Sequence, residues 1–527
     1  MKTLEVDGLT LTLRDIRQVA RSLRQVALHS SAQRRVEQSA ARLRDLAASQ
    51  RSIYGVNTGF GIFSERKIDP AQSTELSENL ILSHATGVGP PFPKEVVRAA
   101  MLIRANTLAA GYSGVRAEIV ETLLRMLNEE ITPWVPSQGS LGSSGDLAPL
   151  AHMVLVFTGR SQSASGASGK AWHKDDLLIG EEAMRRAGIE SVSLGPKEGL
   201  ALTNGATFTA ALLALSLLDA AELMAQMEIA AAMSLEALLG VSQAFDPRLH
   251  AARGHPGQEA CASRILAITE DSSLLDAGEQ IQDAYSLRCI PQIHGPGEEL
   301  LDFLTEIAIR EVNAATDNPL LFGDEVISGG NFHGQPIGLA ADYLKLPLAE
   351  IGALSERRIF RLTSSHTNRG LPAMLVSQPE QSGLQSGLMM LQYTAASLAL
   401  ENQTLAAADS IRSLPTSGGQ EDLNANSTTA ARNLRTILDN VTSICAIELV
   451  AAAQALDLRL KEDRDWGMGA GTRAAYEVVR EHAHHVERDR PLDSDIQHVA
   501  DAVQQAELLT AVKTTVPDLE GWRLLSE

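Results

Sequence analysis

Apolar side chains alternate with Arg and Gln along residues 13–50 in a way that predicts two amphipathic helices. The pattern breaks at residues 52–64. There Ile53-Tyr54-Gly55-Val56-Asn57-Thr58-Gly59-Phe60-Gly61 packs three glycines and an Asn into a short span, which predicts a loop with special backbone angles. Helical periodicity resumes near Leu76 and runs, with breaks, to Asn128. Pro133 and Pro136 introduce a second loop, Ser137-Gln138-Gly139-Ser140-Leu141-Gly142-Ser143-Ser144-Gly145. Asp146 then stands as the N-cap of a helix through Leu155, with Pro149 in its first turn. Residues 160–170 read as a Gly/Ser-rich surface loop, and from Thr207 onward the pattern is almost all helix. Residues 339–362, 387–413 and 428–460 are long, Ala-rich and weakly charged on one face. Helices of that length are marginal alone and need partners. The expected fold is therefore mainly α, with a central long-helix bundle shared between subunits and a loop-rich N-terminal region. We divide the chain into residues 1–202, 203–463 and 464–527.

The most apolar stretch, residues 210–239, is interrupted by Asp219, Glu222, Gln226, Glu228 and Glu236. A membrane-spanning helix rarely tolerates so many polar groups, so a buried bundle helix is expected. Aromatic residues are only 4% of the 527, while Ala and Leu abound, which agrees with helix. The net charge of −20, from 65 acidic and 45 basic side chains, disfavours nucleic acid and anionic membranes as partners. Cys261, Cys289 and Cys445 are scattered, with neither metal-ligand nor disulfide spacing, and read as free thiols in a reducing compartment. The N-terminus lacks a cationic stretch followed by an apolar run, so a cytoplasmic location is expected. His482, His484 and His485 read as a charged, solvated helix face, and no metal is expected.

The glycine-rich loop before Asp146 carries the candidate chemistry. It lacks the Gly-Lys-Ser/Thr ending of a phosphate loop. Gly142-Ser143-Ser144-Gly145 is one residue too short for a nucleophile elbow. Two readings stay open: a helix-capping turn, or a self-made electrophile. In a compressed turn the Gly145 amide nitrogen can attack the Ser143 carbonyl carbon. Loss of water closes a five-membered ring, and loss of a second water from Ser144 leaves an exocyclic methylidene. The product, 4-methylidene-imidazole-5-one, is strongly electrophilic. The helix after Asp146 would aim its positive end at this ring.

This stretch resembles the signature of the aromatic amino acid ammonia-lyase family, with Ser143 in place of the usual Ala of Ala-Ser-Gly. Ala164-Ser165-Gly166 and Ala167-Ser168-Gly169 are literal matches without flanking signature and read as exposed decoys. The resemblance continues in Tyr54-Gly55-Val56-Asn57-Thr58-Gly59-Phe60-Gly61, in Glu198-Gly199-Leu200-Ala201-Leu202-Thr203-Asn204-Gly205, in Gln282-Asp283-Ala284-Tyr285-Ser286-Leu287-Arg288-Cys289 and in Ser328-Gly329-Gly330-Asn331-Phe332-His333-Gly334. It implies the fumarase/aspartase-like helical fold. It implies Tyr54 as the base for the β-proton, Asn204 and Phe332 beside the electrophile, Arg288 as the carboxylate fork, Tyr285 assisting and Gln282 lining the pocket. It also implies a homotetramer with sites built from several subunits.

The resemblance bears on substrate as well. Ser83-His84 is similar to the pair in family members that act on histidine, where phenylalanine- and tyrosine-acting members carry Phe-Leu and His-Leu. Glu421 in Gln420-Glu421-Asp422 and Met389 point the same way, because a carboxylate can accept from an imidazole N–H and a phenyl ring offers no donor. The expected reaction is loss of ammonia from L-histidine to give trans-urocanate. Two departures stand beside it: Leu423-Asn424-Ala425 replaces the usual His-Val-Ser, and Gly418-Gly419 the usual Ala-Asn. They keep open another amino acid or a modified histidine, as lyase or 2,3-aminomutase. A non-catalytic helical scaffold is the remaining alternative.

Overall fold

Capping and patterning set the first helices. Thr12 and Asp15 form a reciprocal capping box at the start of Leu13–Arg21, and this helix buries Leu13, Ile16, Val19 and Ala20. Ser30–Ala47 follows as the second expected helix. The computed structural model describes residues 1–48, 52–158, 168–461, 465–517, 519 and 521. These form two compact units, each discontinuous in sequence: residues 1–215, 305–342 and 408–432 in the first, and residues 216–304, 343–407 and 433–527 in the second. The three regions expected from sequence are consecutive instead, and the division at residue 464 lies outside the described residues.

In the first unit Lys94–Ala109 is the central helix. Every residue from Val96 to Ala109 is buried, two arginines included. Arg98 is tolerated because its guanidinium donates to the carbonyls of Val19 and Leu127, so its donors are not left unpaired. Short strands decorate this helical body. Leu4–Val6 pairs in parallel with Val26–Leu28, and Val88–Pro91 pairs antiparallel with Pro136–Gln138. Lys170–His173 joins Ile131–Pro133 to Asp176–Ile179 in a three-stranded antiparallel sheet.

The second unit explains how so apolar a helix carries so many charges. The helix Thr207–Ala237 enters this unit at Ser216. Three of the acidic interruptions show how. Asp219 pairs with Arg435, Glu228 takes a two-pronged bond from Arg264 at 2.8 and 2.9 Å, and Glu236 accepts the Gly469 N–H at 2.8 Å. Arg358 and Glu448, both fully buried, pair at 2.5 and 2.7 Å, and Ser234 and Ser355 donate to the same carboxylate. Buried charges persist only when paired and hydrogen-bonded in this way. Thr207–Ala237 and Ser427–Leu460 are long and apolar enough to cross a membrane, yet 89% of the most apolar window of each is buried inside the protein.

Three expectations need correction. The helix expected over residues 387–413 is Met389–Leu405. It cannot continue, because the Asp409 and Ser410 amides turn away to donate to the Asp342 carboxylate at 3.1 and 2.8 Å. Asp146 does hold the N-cap position of Leu147–Thr158, but its carboxylate does not cap that helix, as described below. Of the decoy region, residues 160–167 lie outside the described residues, and Ser168 is buried rather than exposed. It is held where the chain passes Gly180, and its hydroxyl accepts the Glu181 N–H.

Candidate active site

Gly139, Gly142 and Gly145 take φ values of +129°, +63° and +89°, a run only glycine adopts without strain. At Gly145 space matters as much as angle. A side chain there would land on the Gly205 backbone, against which Gly145 pairs as a parallel bridge. The Asp146 N–H then donates to the Gly205 carbonyl at 2.9 Å. Asp146 is fully buried, and its carboxylate accepts from the Ser140 hydroxyl at 2.7 Å, the Thr209 N–H at 2.8 Å and the Thr428 hydroxyl at 2.6 Å. Thr209 and Thr428 lie in the first turns of Thr207–Ala237 and Ser427–Leu460. The Gly334 N–H, one residue before Gln335–Thr363, donates to the Gly142 carbonyl at 2.9 Å. With Leu147–Thr158, four helix N-termini therefore meet around residues 142–146. Each carries a partial positive charge, so their sum favours electron density arriving there.

The loop forms one wall of a cavity of about 1390 Å³ within the first unit. Tyr54, Ser83, His84, Ser143, Ser144, Asn204, Phe332 and Glu421 all line it, and Gly145 does not. Asn204 Nδ2 donates to the Ser144 carbonyl oxygen at 2.7 Å and the Gly205 N–H reaches the same oxygen at 3.3 Å. Asn204 Oδ1 is buried without a partner among the described residues, so it is left for a group that enters the cavity. The Ser143 hydroxyl accepts from the Ala425 N–H at 3.1 Å. The first residue of the tripeptide thus has a structural partner of its own.

The opposite wall carries titratable groups. Burial pushes the Tyr54 phenol above its usual range; the Gly61 N–H opposes this by bonding the phenolate, and the charge of Glu421 adds to it. Burial likewise holds His84 below the usual imidazole range, against a backbone bond to Leu80 and the attraction of Glu421. His84 is therefore neutral at pH 7. Ser83 bonds the Leu80 carbonyl at 3.1 Å and His84 Nδ1 at 3.0 Å. Glu421 accepts the Thr416 hydroxyl at 3.1 Å, which aims one carboxylate oxygen and leaves the other for the cavity.

Four expected site residues are not brought in. Gln282, Tyr285, Arg288 and Met389 belong to the second unit and do not line this cavity. Tyr285 is 70% exposed, and the Arg288 guanidinium stacks on its ring at 4.8 Å. Sequence reasoning missed others. Asn318 lines the cavity and accepts the Gly329 N–H at 2.7 Å. His333 lines it too, with Nε2 at 3.2 Å from the Leu423 carbonyl oxygen. His333 sits inside the matched motif at residues 328–334, which was the available signal. Leu423 itself, 67% exposed, stands at the cavity wall.

Comparison with known proteins identifies the family and the fold. Residues 11–481 match the family described as aromatic amino acid lyase. A histidine ammonia-lyase of Caldanaerobacter subterraneus subsp. tengcongensis is 45% identical over 517 residues, covering 97% of this chain and 99% of that protein. The tyrosine aminomutase of Streptomyces globisporus superposes with a TM-score of 0.90 at 36% identity, over 98% of this chain and 99% of that one. The histidine ammonia-lyase of Trypanosoma cruzi does so with a TM-score of 0.88 at 34% identity, over 98% and 96%.

Proposed function

The chain belongs to the aromatic amino acid lyase family, and from that premise we propose that it eliminates ammonia from L-histidine to give trans-urocanate. One observation carries the reading: Glu421 and His84, the groups able to meet an imidazole ring, wall the same cavity as Tyr54 and the Ser143-Ser144-Gly145 turn. The reaction breaks the Cα–N bond and a Cβ–H bond and leaves a carbon–carbon double bond. The amine is a poor leaving group, and no ordinary side chain activates it.

The turn fits a 4-methylidene-imidazole-5-one built from Ser143, Ser144 and Gly145. Gly145 takes a left-handed backbone angle with no room for a side chain, and a buried acceptor on Asn204 stands open beside the turn. When formed, that group supplies the electrophile that makes the amine a competent leaving group. Everything else falls to ordinary residues. Asn204 Nδ2 and the Gly205 N–H hold the Ser144 oxygen, the atom on which negative charge would collect, and four helix N-termini support them. Tyr54, as phenolate, takes the β-proton. Glu421 accepts from an imidazole N–H, and neutral His84 bonds the same ring. Phe332, in the lining of the same cavity, helps exclude water.

We assign Arg288 to the substrate carboxylate, Tyr285 to proton or amine chemistry, and Gln282 and Met389 to the pocket wall, all supplied by neighbouring copies in a homotetramer. Support comes from apolar stripes at helical spacing in the second unit. Tyr343, Leu346 and Phe360 are exposed on Gln335–Thr363, and Met390, Tyr393 and Leu400 on Met389–Leu405. Large exposed apolar patches mark association surfaces. The free thiols Cys261, Cys289 and Cys445 accord with a reducing, cytoplasmic setting. Leu423 and Gly418-Gly419 favour one second reading, in which the ring pocket takes a modified imidazole.

The test is direct. The purified protein should weigh two waters less than its sequence and release ammonia from L-histidine with growing urocanate absorbance. An unmodified mass, or ammonia released only from another amino acid, overturns the electrophile or the substrate respectively.

A further inference from the structure

Tyr54 sits on a loop, and a loop needs something to stop against. Residues 57–68 form a small closed hairpin: Gly59 N–H donates to the Arg66 carbonyl, Ile68 N–H to the Asn57 carbonyl, and Thr58 bridges Lys67. Its tip, the 3-10 turn Gly61–Phe63, packs against another such turn, Ser417–Gly419. The two meet without room to spare. A Cβ on Gly61 would lie 2.7 Å from the Ser417 hydroxyl, and a Cβ on Gly418 would lie 2.8 Å from Cγ2 of Ile62. Both are closer than side-chain carbons pack. Gly418, at φ +63°, therefore leaves room for the Cγ2 methyl of Ile62, a side chain that is otherwise 55% exposed.

The receiving turn is also the one that holds Glu421. Thr416 and Glu421 exchange two backbone hydrogen bonds, at 2.8 and 3.3 Å, and the Thr416 hydroxyl grips the carboxylate. Residues 416–421 thus carry both Glu421 and the seat for Ile62 along the wall of the same cavity. The backbone amide of Gly61, the neighbour of Ile62, favours the ionised form of Tyr54 against its burial.

We propose that the contact of Ile62 in the hollow over Gly418 registers the Tyr54 loop on the Glu421 turn, which makes Gly418 and Ile62 positioning residues for Tyr54. This rests on the reading of Tyr54 as the base. It also gives Gly418, one of the chain's departures from its family, a physical role: the seat is cut to the isoleucine it receives.

Gly418→Ala fills the seat, and Ile62→Ala empties the plug. The single variant Gly418→Ala should lower kcat on histidine about tenfold with KM changed less than twofold. Its alkaline kcat inflection should move to higher pH, because a displaced Gly61 no longer bonds the phenolate while burial and Glu421 still oppose ionisation and neutral His84 stays uncharged. Trypsin should cleave after the exposed Arg66 or Lys67 several-fold faster. The double variant Ile62→Ala/Gly418→Ala should restore kcat, inflection and cleavage rate to within about threefold of the wild type. Unchanged behaviour in Gly418→Ala overturns the proposal. So does a loss that Ile62→Ala fails to repair, since left-handed backbone strain at residue 418 would then be the cause. If the wild type releases no ammonia from any amino acid, the functional reading fails, while the trypsin rates still decide whether the seat exists.

Discussion

Tyr54 ionises under three influences of different sign. Burial and the Glu421 charge raise its pKa, and the Gly61 N–H lowers it. If the phenolate is the base, kcat on histidine rises with pH into the alkaline range. Glu421→Gln removes one of the two groups that hold the proton on, so the inflection should move to lower pH. The same substitution removes the charged acceptor for the imidazole. A hydrogen bond to a charged group contributes about 1.5–3 kcal/mol, so kcat/KM for histidine should fall roughly 10- to 100-fold. A pH series of kcat/KM reads both effects, and unchanged turnover would remove Glu421 from the site. At this scale much was legible beforehand. Tyr54, His84, Asn204, Phe332 and Glu421 were found because each sits in a short motif, and all line one cavity. Asn318, His333 and Thr416 were not, because their roles depend on what folds opposite them.

Among the elements, the helix Thr207–Ala237 shows how a charge is carried inside an apolar body. Burial raises the Glu236 carboxyl to about 7 from 4.5, against the opposing bond from the Gly469 N–H. Between those two values the folded chain holds more protons on this group than the unfolded chain does. Stability therefore falls as pH rises across that window and levels off above it. The loss is on the order of 3 kcal/mol at about 1.4 kcal/mol per pKa unit. Glu236→Gln keeps an acceptor for Gly469 and abolishes the titration. The variant should match the wild type near pH 4.5 and exceed it progressively up to pH 8, measured as the difference in urea midpoints. A constant difference across pH would deny the raised carboxyl. Element boundaries were legible wherever the apolar pattern was long: Ser427–Leu460 begins one residue before expectation and ends at the same residue. They failed where side chains captured backbone, as Asp342 does at Asp409 and Ser410.

For the whole molecule, a single chain brings eight of its expected site residues to one cavity and leaves Gln282, Tyr285, Arg288 and Met389 elsewhere. If neighbouring copies complete each site, two inactive variants should complement. Tyr54→Phe and Arg288→Ala subunits, each inactive alone, should regain up to about a quarter of wild-type activity when unfolded together and reassembled, because a fraction of sites then draws both intact residues. No recovery in assemblies shown to be mixed would place all catalytic groups in one chain. The sequence alone determined the helical class and, through its motifs, the family. Ala- and Leu-rich periodicity demands helices, and three small residues in a row permit an amide to reach a neighbouring carbonyl, both local consequences of side-chain size and spacing. Only the tertiary structure decided that Asp146 ties three helix starts together, that Ser143 bonds Ala425, and that Ile62 lies over Gly418. Those contacts join residues from 63 to 356 positions apart, and no local pattern encodes which distant surfaces will meet.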